Sequence, residues 1–203
     1  MNVQCTALQA AKAHWQSDAL DEDATAVRQF DATALNHASV TSAHRDGDEW
    51  RLRCMAEEIP MPWDWPVEVN YLEAKAFCNW KANQTGLPIR LPTEDEWYRL
   101  HDLHEIADQP YWEHAPGNIN LEYWASSCPV TRFPFGEFYD LIGNVWQWTE
   151  TPITGFTGFE VHPWYDDFST PTFDTQHNLI KGGSWISTGN EATRDSRYAF
   201  RRH

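Results

Sequence analysis

The residues best equipped for chemistry gather at the end of the chain. Arg194, Arg197, Arg201 and Arg202 stand close together just before the final His203, in a protein whose formal net charge is −15. A guanidinium binds a carboxylate through two parallel N–H···O bonds, so this cluster suits a small acid as ligand. Surface salt bridging is the competing reading, natural in so acidic a protein and weak per pair. The spacing of four aligns Arg197 with Arg201 if the segment is helical, while Arg194 and Arg202 stay open as alternatives and Tyr198 would line the same pocket. A second candidate is His101-x-x-His104-Glu105, whose histidines share a helix face as metal ligands would. No third ligand is implied nearby, so a solvated helix end is the expectation there. His162 and His177 are lone histidines, for which packing or surface roles are expected. The cysteines, Cys5, Cys54, Cys78 and Cys128, are scattered without a CxxC pair, and none follows Cys128.

Composition limits the class of function. A net charge of −15 opposes nucleic-acid binding, which needs basic surface against phosphates, and opposes adsorption to anionic membranes. No apolar run reaches the length of a membrane span, and the first residues lack the charged-then-apolar layout of a secretory signal. The cysteine pattern offers neither a disulfide framework nor a zinc knuckle, so a reducing cytoplasm is expected. The 12 Trp, 10 Phe and 7 Tyr, with 12 Pro and 10 Gly, point to a core of large rings held in irregular segments.

The elements that must position these groups are legible from about Arg45 onward. Residues 1–44 carry few large apolar residues, a short helix over 7–15 and an acidic run over 18–23; they are expected to be an unassigned extension. Glu49-Trp50-Arg51-Leu52-Arg53 alternates as a half-buried strand does. Pro60-Met61-Pro62-Trp63-Asp64-Trp65-Pro66 excludes helix and central strand and reads as a rigid aromatic loop. Asn70 with Glu73 forms a capping-box pattern, and the helix behind it places Ala74, Phe77, Cys78 and the stem of Lys81 on one face before stopping near Gly86-Leu87-Pro88. Thr93 with Glu96 repeats the pattern for a second helix running to about Ile106. Beyond Asp108 short strands and loops are expected over 112–124, 129–138, 143–149 and 179–186. The adjacent glycines Gly182-Gly183 allow a sharp bend beside a neighbouring segment.

Taken together these strings resemble the formylglycine-generating-enzyme, or sulfatase-modifying-factor, family. The matching pieces are Val69-Asn70-Tyr71-Leu72-Glu73-Ala74 with Phe77-Cys78-Asn79-Trp80, Arg90-Leu91-Pro92-Thr93-Glu94-Asp95-Glu96-Trp97, Gly117-Asn118-Ile119-Asn120-Leu121, Gly143-Asn144-Val145-Trp146-Gln147-Trp148-Thr149 and Gly182-Gly183-Ser184-Trp185. Each is weak alone; their joint occurrence in one order is not. The resemblance implies an α+β, C-type-lectin-like fold with little regular secondary structure over residues 45–203. It implies at least two chemistries, since a fold does not name a reaction. Formylglycine-generating enzymes oxidise a peptide cysteine with a copper-binding thiol pair just after the GGSW string. Here Ser187 and Ala192 stand where thiols are expected, and a hydroxyl does not replace a thiolate on a soft metal.

The other branch is the sulfoxide synthases of ergothioneine and ovothiol biosynthesis. Met61-Pro62-Trp63-Asp64-Trp65-Pro66-Val67-Glu68-Val69-Asn70, residues 184–192 and Ser196-Arg197-Tyr198-Ala199-Phe200-Arg201-Arg202-His203 resemble the ovothiol members, which couple cysteine to histidine. That likeness implies Tyr165 as a catalytic phenol, and Arg197, Tyr198 and Arg201 as substrate-binding residues. It implies iron(II) and oxygen, with the iron held by three histidines of a helical domain upstream. The H-x-x-x-H-x-E ligand pattern is absent here, and the family continues past the position of His203, so this chain is expected to be the substrate-side part of such an enzyme. Asn118, Asn120 and Asn144 match positions near structural calcium sites of the wider family, though Gln147 replaces a common Glu; asparagines that cap turns are the competing reading. A non-catalytic lectin-like binding module is the alternative for the whole domain.

Overall fold

A computed structural model describes residues 43–110 and 114–203. The helix expected over 7–15, the acidic run over 18–23 and the start of the 112–124 segment lie outside the described residues. The alternating stretch forms the middle of an antiparallel meander, β1 (Ala43–Asp46), β2 (Glu49–Arg53) and β3 (Glu58–Pro60), with Leu52 opposite Ala43 and Ile59. Pro60 ends β3, and the proline-rich stretch after it is irregular, as three fixed φ angles require.

Both capping boxes form. In α1 (Tyr71–Thr85) the Asn70 side chain accepts from the Glu73 amide at 3.0 Å and the Asn70 amide donates to Glu73 Oε2 at 2.9 Å; Gly86, at φ 68°, closes the helix. The inward line is Tyr71, Ala74, Cys78 and Ala82, packed with Ile89, Leu91 and Trp148. Phe77 turns aside to meet Trp80, ring centroids 5.6 Å apart. In α2 (Glu94–Leu103) Thr93 and Glu96 cap each other, and Arg90 braces Glu96 from outside. This helix stops short of Ile106 because Glu105 adopts φ 50°. Glu94, Trp97 and His101, at helical spacing, all face inward. His101 is therefore not a solvated helix end: it is 1% exposed and its ring lies 5.1 Å from that of Trp97.

A two-stranded hairpin, β4 (Pro134–Phe135) with β5 (Phe138–Tyr139), precedes the sheet that carries the arginines. That sheet has the order β6 (Gln147–Pro152), β7 (His177–Lys181) and β8 (Tyr198–Arg201), all antiparallel. Between β6 and β7 lie the short helix α3 (Asp166–Ser169) and a 3₁₀ turn, Thr170–Thr172. The central strand β7 is buried along its whole length. Trp97, Ala115, Ile119, Ile142 and Ala192 form the main core cluster. Long irregular segments around short elements give a loop-rich α+β architecture.

Candidate functional site

The arginine segment is a strand, not a helix, so its side chains alternate. Arg201 and Ala199 share one face of β8, while Tyr198 and Phe200 share the other. Arg197, just before the strand, falls in line with Arg201 but about 13 Å away along it. Sharing one small carboxylate would require both to reach along the strand, and Arg197 is committed elsewhere. The structure gives each guanidinium a different situation. Arg197 binds Glu94 through two bonds, Nε to Oε1 at 2.7 Å and Nη2 to Oε2 at 3.0 Å, and donates Nη1 to the Thr154 carbonyl at 2.8 Å. Arg194 makes the same two-bond grip on Asp102, at 2.8 and 3.0 Å. Arg202 donates to Asn178 Oδ1 at 2.7 Å and to the Thr175 carbonyl. Arg201 is exposed and has no hydrogen-bond or ion-pair partner among the described residues. Tyr198 is 37% exposed, its ring 5.4 Å from Trp146.

Tyr165 lies on the loop that follows β6, as the residue before α3. Its amide donates to the His162 carbonyl at 3.0 Å, and its ring meets the His162 imidazole edge-on at 5.7 Å. The phenol is open to solvent, 67% exposed, beside Trp164 at 85%. No hydrogen bond or ring contact joins Tyr165 to Arg197, Tyr198 or Arg201 among the described residues. No contact among the described residues brings the catalytic and substrate-binding candidates together.

Lys181, a residue the sequence reading passed over, ties this region together. It is fully buried in β7. Its Nζ donates to the carbonyls of Arg194 (2.9 Å) and Ser196 (2.5 Å) and sits 4.6 and 4.4 Å from the ring centres of Trp97 and Tyr98. Burial drives its pKa down to about 8, against the pull of Glu94. A lysine inside the apolar run Leu179-Ile180-Lys181 was the available signal. Glu94 is its counterpart: a capping-box helix start hid an acid that points inward. Close by, Trp97 Nε1, both ring nitrogens of His101 and Ser196 Oγ are buried without hydrogen-bond partners, and burial lowers the His101 pKa.

No cysteine stands in the stretch after Gly182-Gly183-Ser184-Trp185. Gly183, at φ 74°, brings the chain so close that a Cβ there would stand 3.0 Å from Ala192 Cβ and 3.2 Å from Ser187 Cβ. Ser187 and Ala192 thus flank one glycine, both buried, and Ser187 Oγ accepts the Ser184 amide at 2.9 Å. The described cysteines are free thiols; burial raises Cys54 and pushes Cys78 and Cys128 up to about 11 and about 12.

Among the described residues no three His, Cys, Asp or Glu side chains stand together as a metal site. The calcium positions form a hydrogen-bonded bracket instead. Asn144 accepts the Cys128 amide on Oδ1 and donates Nδ2 to the Cys128 carbonyl and Asp140 Oδ2. Gln147 donates to the Asp140 carbonyl. Asn118 donates to the Ser126 carbonyl, and Asn120 holds a turn at φ 58°. Burial raises Asp140 to about 7. Asn144 Oδ1 is already engaged, whereas Asn118 Oδ1 and Asp140 Oδ1 are buried without hydrogen-bond partners. No helix among the described residues is long and apolar enough to cross a membrane.

Residues 9–203 match the sulfatase-modifying factor enzyme 1-like domain. The hercynine oxygenase of Mycobacterium tuberculosis is 29% identical over 163 residues, covering 70% of this chain and 34% of that protein. Ergothioneine biosynthesis protein 1 of Schizosaccharomyces pombe is 29% identical over 136 residues, covering 65% of this chain and 16% of that protein. The chain thus spans about a third or less of these curated relatives. Among solved structures, Treponema denticola variable protein 1 superposes with a TM-score of 0.58 at 16% identity, over 85% of this chain and 75% of that one.

Proposed function

Since the chain belongs to the sulfatase-modifying factor enzyme 1-like domain family, we propose that it is the substrate-side part of a sulfoxide synthase. Its fold, α+β and C-type-lectin-like with little regular secondary structure, is that of this family. In the finer form of the proposal, the reaction joins L-cysteine to L-histidine as 5-histidylcysteine sulfoxide, the first step of ovothiol biosynthesis. The stoichiometry closes without an added reductant: one thiol S–H and one imidazole C–H are replaced by an S–C bond, the sulfur gains one oxygen atom, and the second oxygen atom leaves as water. Iron(II), with ligands from a helical domain, is the oxygen-activating group this reading calls for.

One observation carries the proposal. The positions flanking Gly183 are a hydroxyl and a methyl, Ser187 and Ala192, which removes the copper–thiol chemistry from a chain whose relatives include a hercynine oxygenase. What remains at the surface suits the other reaction. Tyr165 offers a phenol able to hold or pass a proton beside a reacting thiol. Arg201 has an uncommitted guanidinium for the substrate carboxylate, whereas Tyr198 projects from the opposite face of β8. Arg197 contributes from a fixed position rather than by free reach. Both Tyr165 and Arg201 face solvent, so a second surface is needed to enclose the substrate, as a divided site would require. The free thiols Cys54, Cys78 and Cys128 favour a reducing compartment such as the cytoplasm.

The competing reading, a non-catalytic binding module, has one observation on its side: Arg194, Arg197 and Arg202 are already engaged within the fold. The two separate in one assay. The chain is incubated with iron(II), oxygen and cysteine, with either histidine or hercynine as acceptor, with and without an added iron-binding helical domain from a sulfoxide synthase. Mass spectrometry then looks for the coupled sulfoxide. The expected result is no turnover alone and turnover with the added domain, abolished by Tyr165→Phe. Product from hercynine alone would move the assignment to the ergothioneine branch. Retained amino-acid binding with no product in any arm would establish the binding module.

A further inference from the structure

We infer that Arg197 is a positioning residue: its buried ion pair with Glu94 fixes the root of the 153–165 loop and so sets where Trp164 and Tyr165 point. The inference rests on the reading of Tyr165 as a working phenol, but its structural half stands apart from that reading. Arg197 and Tyr98 converge on the Glu94 carboxylate, and the end of β6 meets the Glu94 backbone. Glu94, 4% exposed, takes both bonds from Arg197 and a third from the Tyr98 hydroxyl at 3.3 Å, while its own amide donates to Thr151 Oγ1 at the end of β6. From this anchor Arg197 reaches out to the loop. It donates to the Thr154 carbonyl at 2.8 Å, and its guanidinium carbon lies 4.1 Å from the centre of the Phe156 ring.

The loop root is built to receive that grip. Between the two contacts sits Gly155, where a Cβ would come within 2.7 to 2.9 Å of the Phe159 side chain. Phe159 can therefore fold back over the glycine; its amide donates to the Phe156 carbonyl at 2.8 Å and its ring meets Phe173 at 5.6 Å. The Ile153 amide ties the same root to the His177 carbonyl of β7. At the tip the Trp164 amide donates to His162 Nδ1 and the Tyr165 amide to the His162 carbonyl. Trp164 and Tyr165 are thereby held relative to His162, between the root gripped by Arg197 and the start of α3. A bidentate guanidinium on a rigid carboxylate is a stiffer mount than either partner alone, and catalytic groups lose rate when their supports loosen.

The test uses the full chain with Arg197→Lys, Glu94→Gln and, as a variant that leaves the buried pair intact, Phe156→Ala. Hydrogen exchange is read by peptide mass across 153–165, α1 and β7, and turnover is read with the helical domain added. In Arg197→Lys and Glu94→Gln, amides of 153–165 should exchange at least tenfold faster while α1 and β7 hold their protection; kcat should fall about tenfold with KM changed less than twofold. Phe156→Ala should show the same pattern more weakly. Exchange unchanged in 153–165, or faster by the same factor in α1 and β7, overturns the inference, and Phe156→Ala decides it if the charged variants do not fold. Absence of turnover in the unsubstituted protein, with the exchange pattern as expected, refutes the role of Tyr165 and leaves the clamp standing.

Discussion

Arg194 and Arg197 lie three residues apart and grip carboxylates of the same helix with almost the same geometry. Nitrogen–oxygen distances are 2.8 and 3.0 Å for Arg194 on Asp102, and 2.7 and 3.0 Å for Arg197 on Glu94. What differs is the medium. The side chains of the Arg194 pair are 29% and 56% exposed; those of the Arg197 pair are 17% and 6%. Water screens the first and is largely excluded from the second. Equal bond lengths therefore carry unequal consequences. In the buried pair the loss of one partner strands a charge, whereas in the open pair solvent takes the partner's place.

Truncation of Arg197 should break the comparison most visibly. Arg197→Ala leaves the Glu94 carboxylate inside the fold with only Tyr98 and is expected to cost about 3–5 kcal/mol in urea unfolding. Glu94→Ala should cost a similar amount. The double variant should be less destabilised than the sum of the two, because the stranded charge is then gone. Additive losses would mean that the two side chains act independently, and the contrast with Arg194 would lose its physical basis.

Lys181 sharpens the comparison because it lies between the two pairs, holding the carbonyls of Arg194 and Ser196. Its ammonium has left water, and its pKa falls from 10.5 to about 8. The unfolded chain therefore binds a proton more tightly than the folded one. The cost of the buried charge is fully present below pH 8 and is relieved as pH rises from 8 towards 10.5. The drop corresponds to about 3 kcal/mol. Buried Cys78 and Cys128 act oppositely above pH 9, since their thiols resist ionisation in the fold. The measurement is thus a difference: the stability of the unsubstituted protein relative to Lys181→Met, by urea titration at pH 7.5 and pH 10. It should rise with pH by an amount on the order of 2–3 kcal/mol; a flat difference would place the ammonium in contact with water.

These residues also mark where the sequence ceased to be readable. Both helix starts were legible because a capping box is local: Asn70 with Glu73 and Thr93 with Glu96 specify their own hydrogen bonds. The strand around Trp50 and the proline-rich loop were legible for the same reason. The direction of Glu94 was not. In an acidic first turn, Glu94, Asp95 and Glu96 look alike, and only the tertiary arrival of Arg197, 103 residues later, selects one for burial. The arginine segment invited a helical reading because spacing of four fits a helix face; pairing with β7 imposed the strand. His101 looked solvated because two histidines near a helix end usually are, whereas Trp97 one turn earlier draws its ring inside. Of the site, the family strings singled out Tyr165 and the arginines, but which arginine keeps a free guanidinium is a property of long-range contacts.

The open pair makes the next, smaller prediction. The Arg194 bonds hold the Asp102 carboxyl below its ordinary pKa, so that contribution is present above the ordinary carboxylate range and fades as pH falls through the lowered value. Arg194→Ala should leave the urea midpoint at pH 7 nearly unmoved, and 0.5 M salt should erase what difference there is. A loss matching that of Arg197→Ala would show that the segment entering β8 is stiff enough to make both pairs indispensable.

Arg201 gives the smallest expected effect on the fold and the most informative one on function. It is an exposed strand residue with no partner among the described residues, so Arg201→Ala should not shift the unfolding midpoint. A guanidinium that contributes nothing to folding is available to a ligand, and a carboxylate bound by two charge-assisted hydrogen bonds loses most of its hold when the fork is removed. Binding of cysteine or histidine, measured by calorimetry on the chain with the helical domain added, should weaken at least tenfold in Arg201→Ala, and Arg201→Lys should recover only part of it because an ammonium offers no planar fork. Unchanged binding in Arg201→Ala, alongside lost binding in Arg197→Ala at temperatures where that variant is folded, would reverse the assignment: the buried arginine would then be the one that meets substrate, and the exposed one would be ordinary surface.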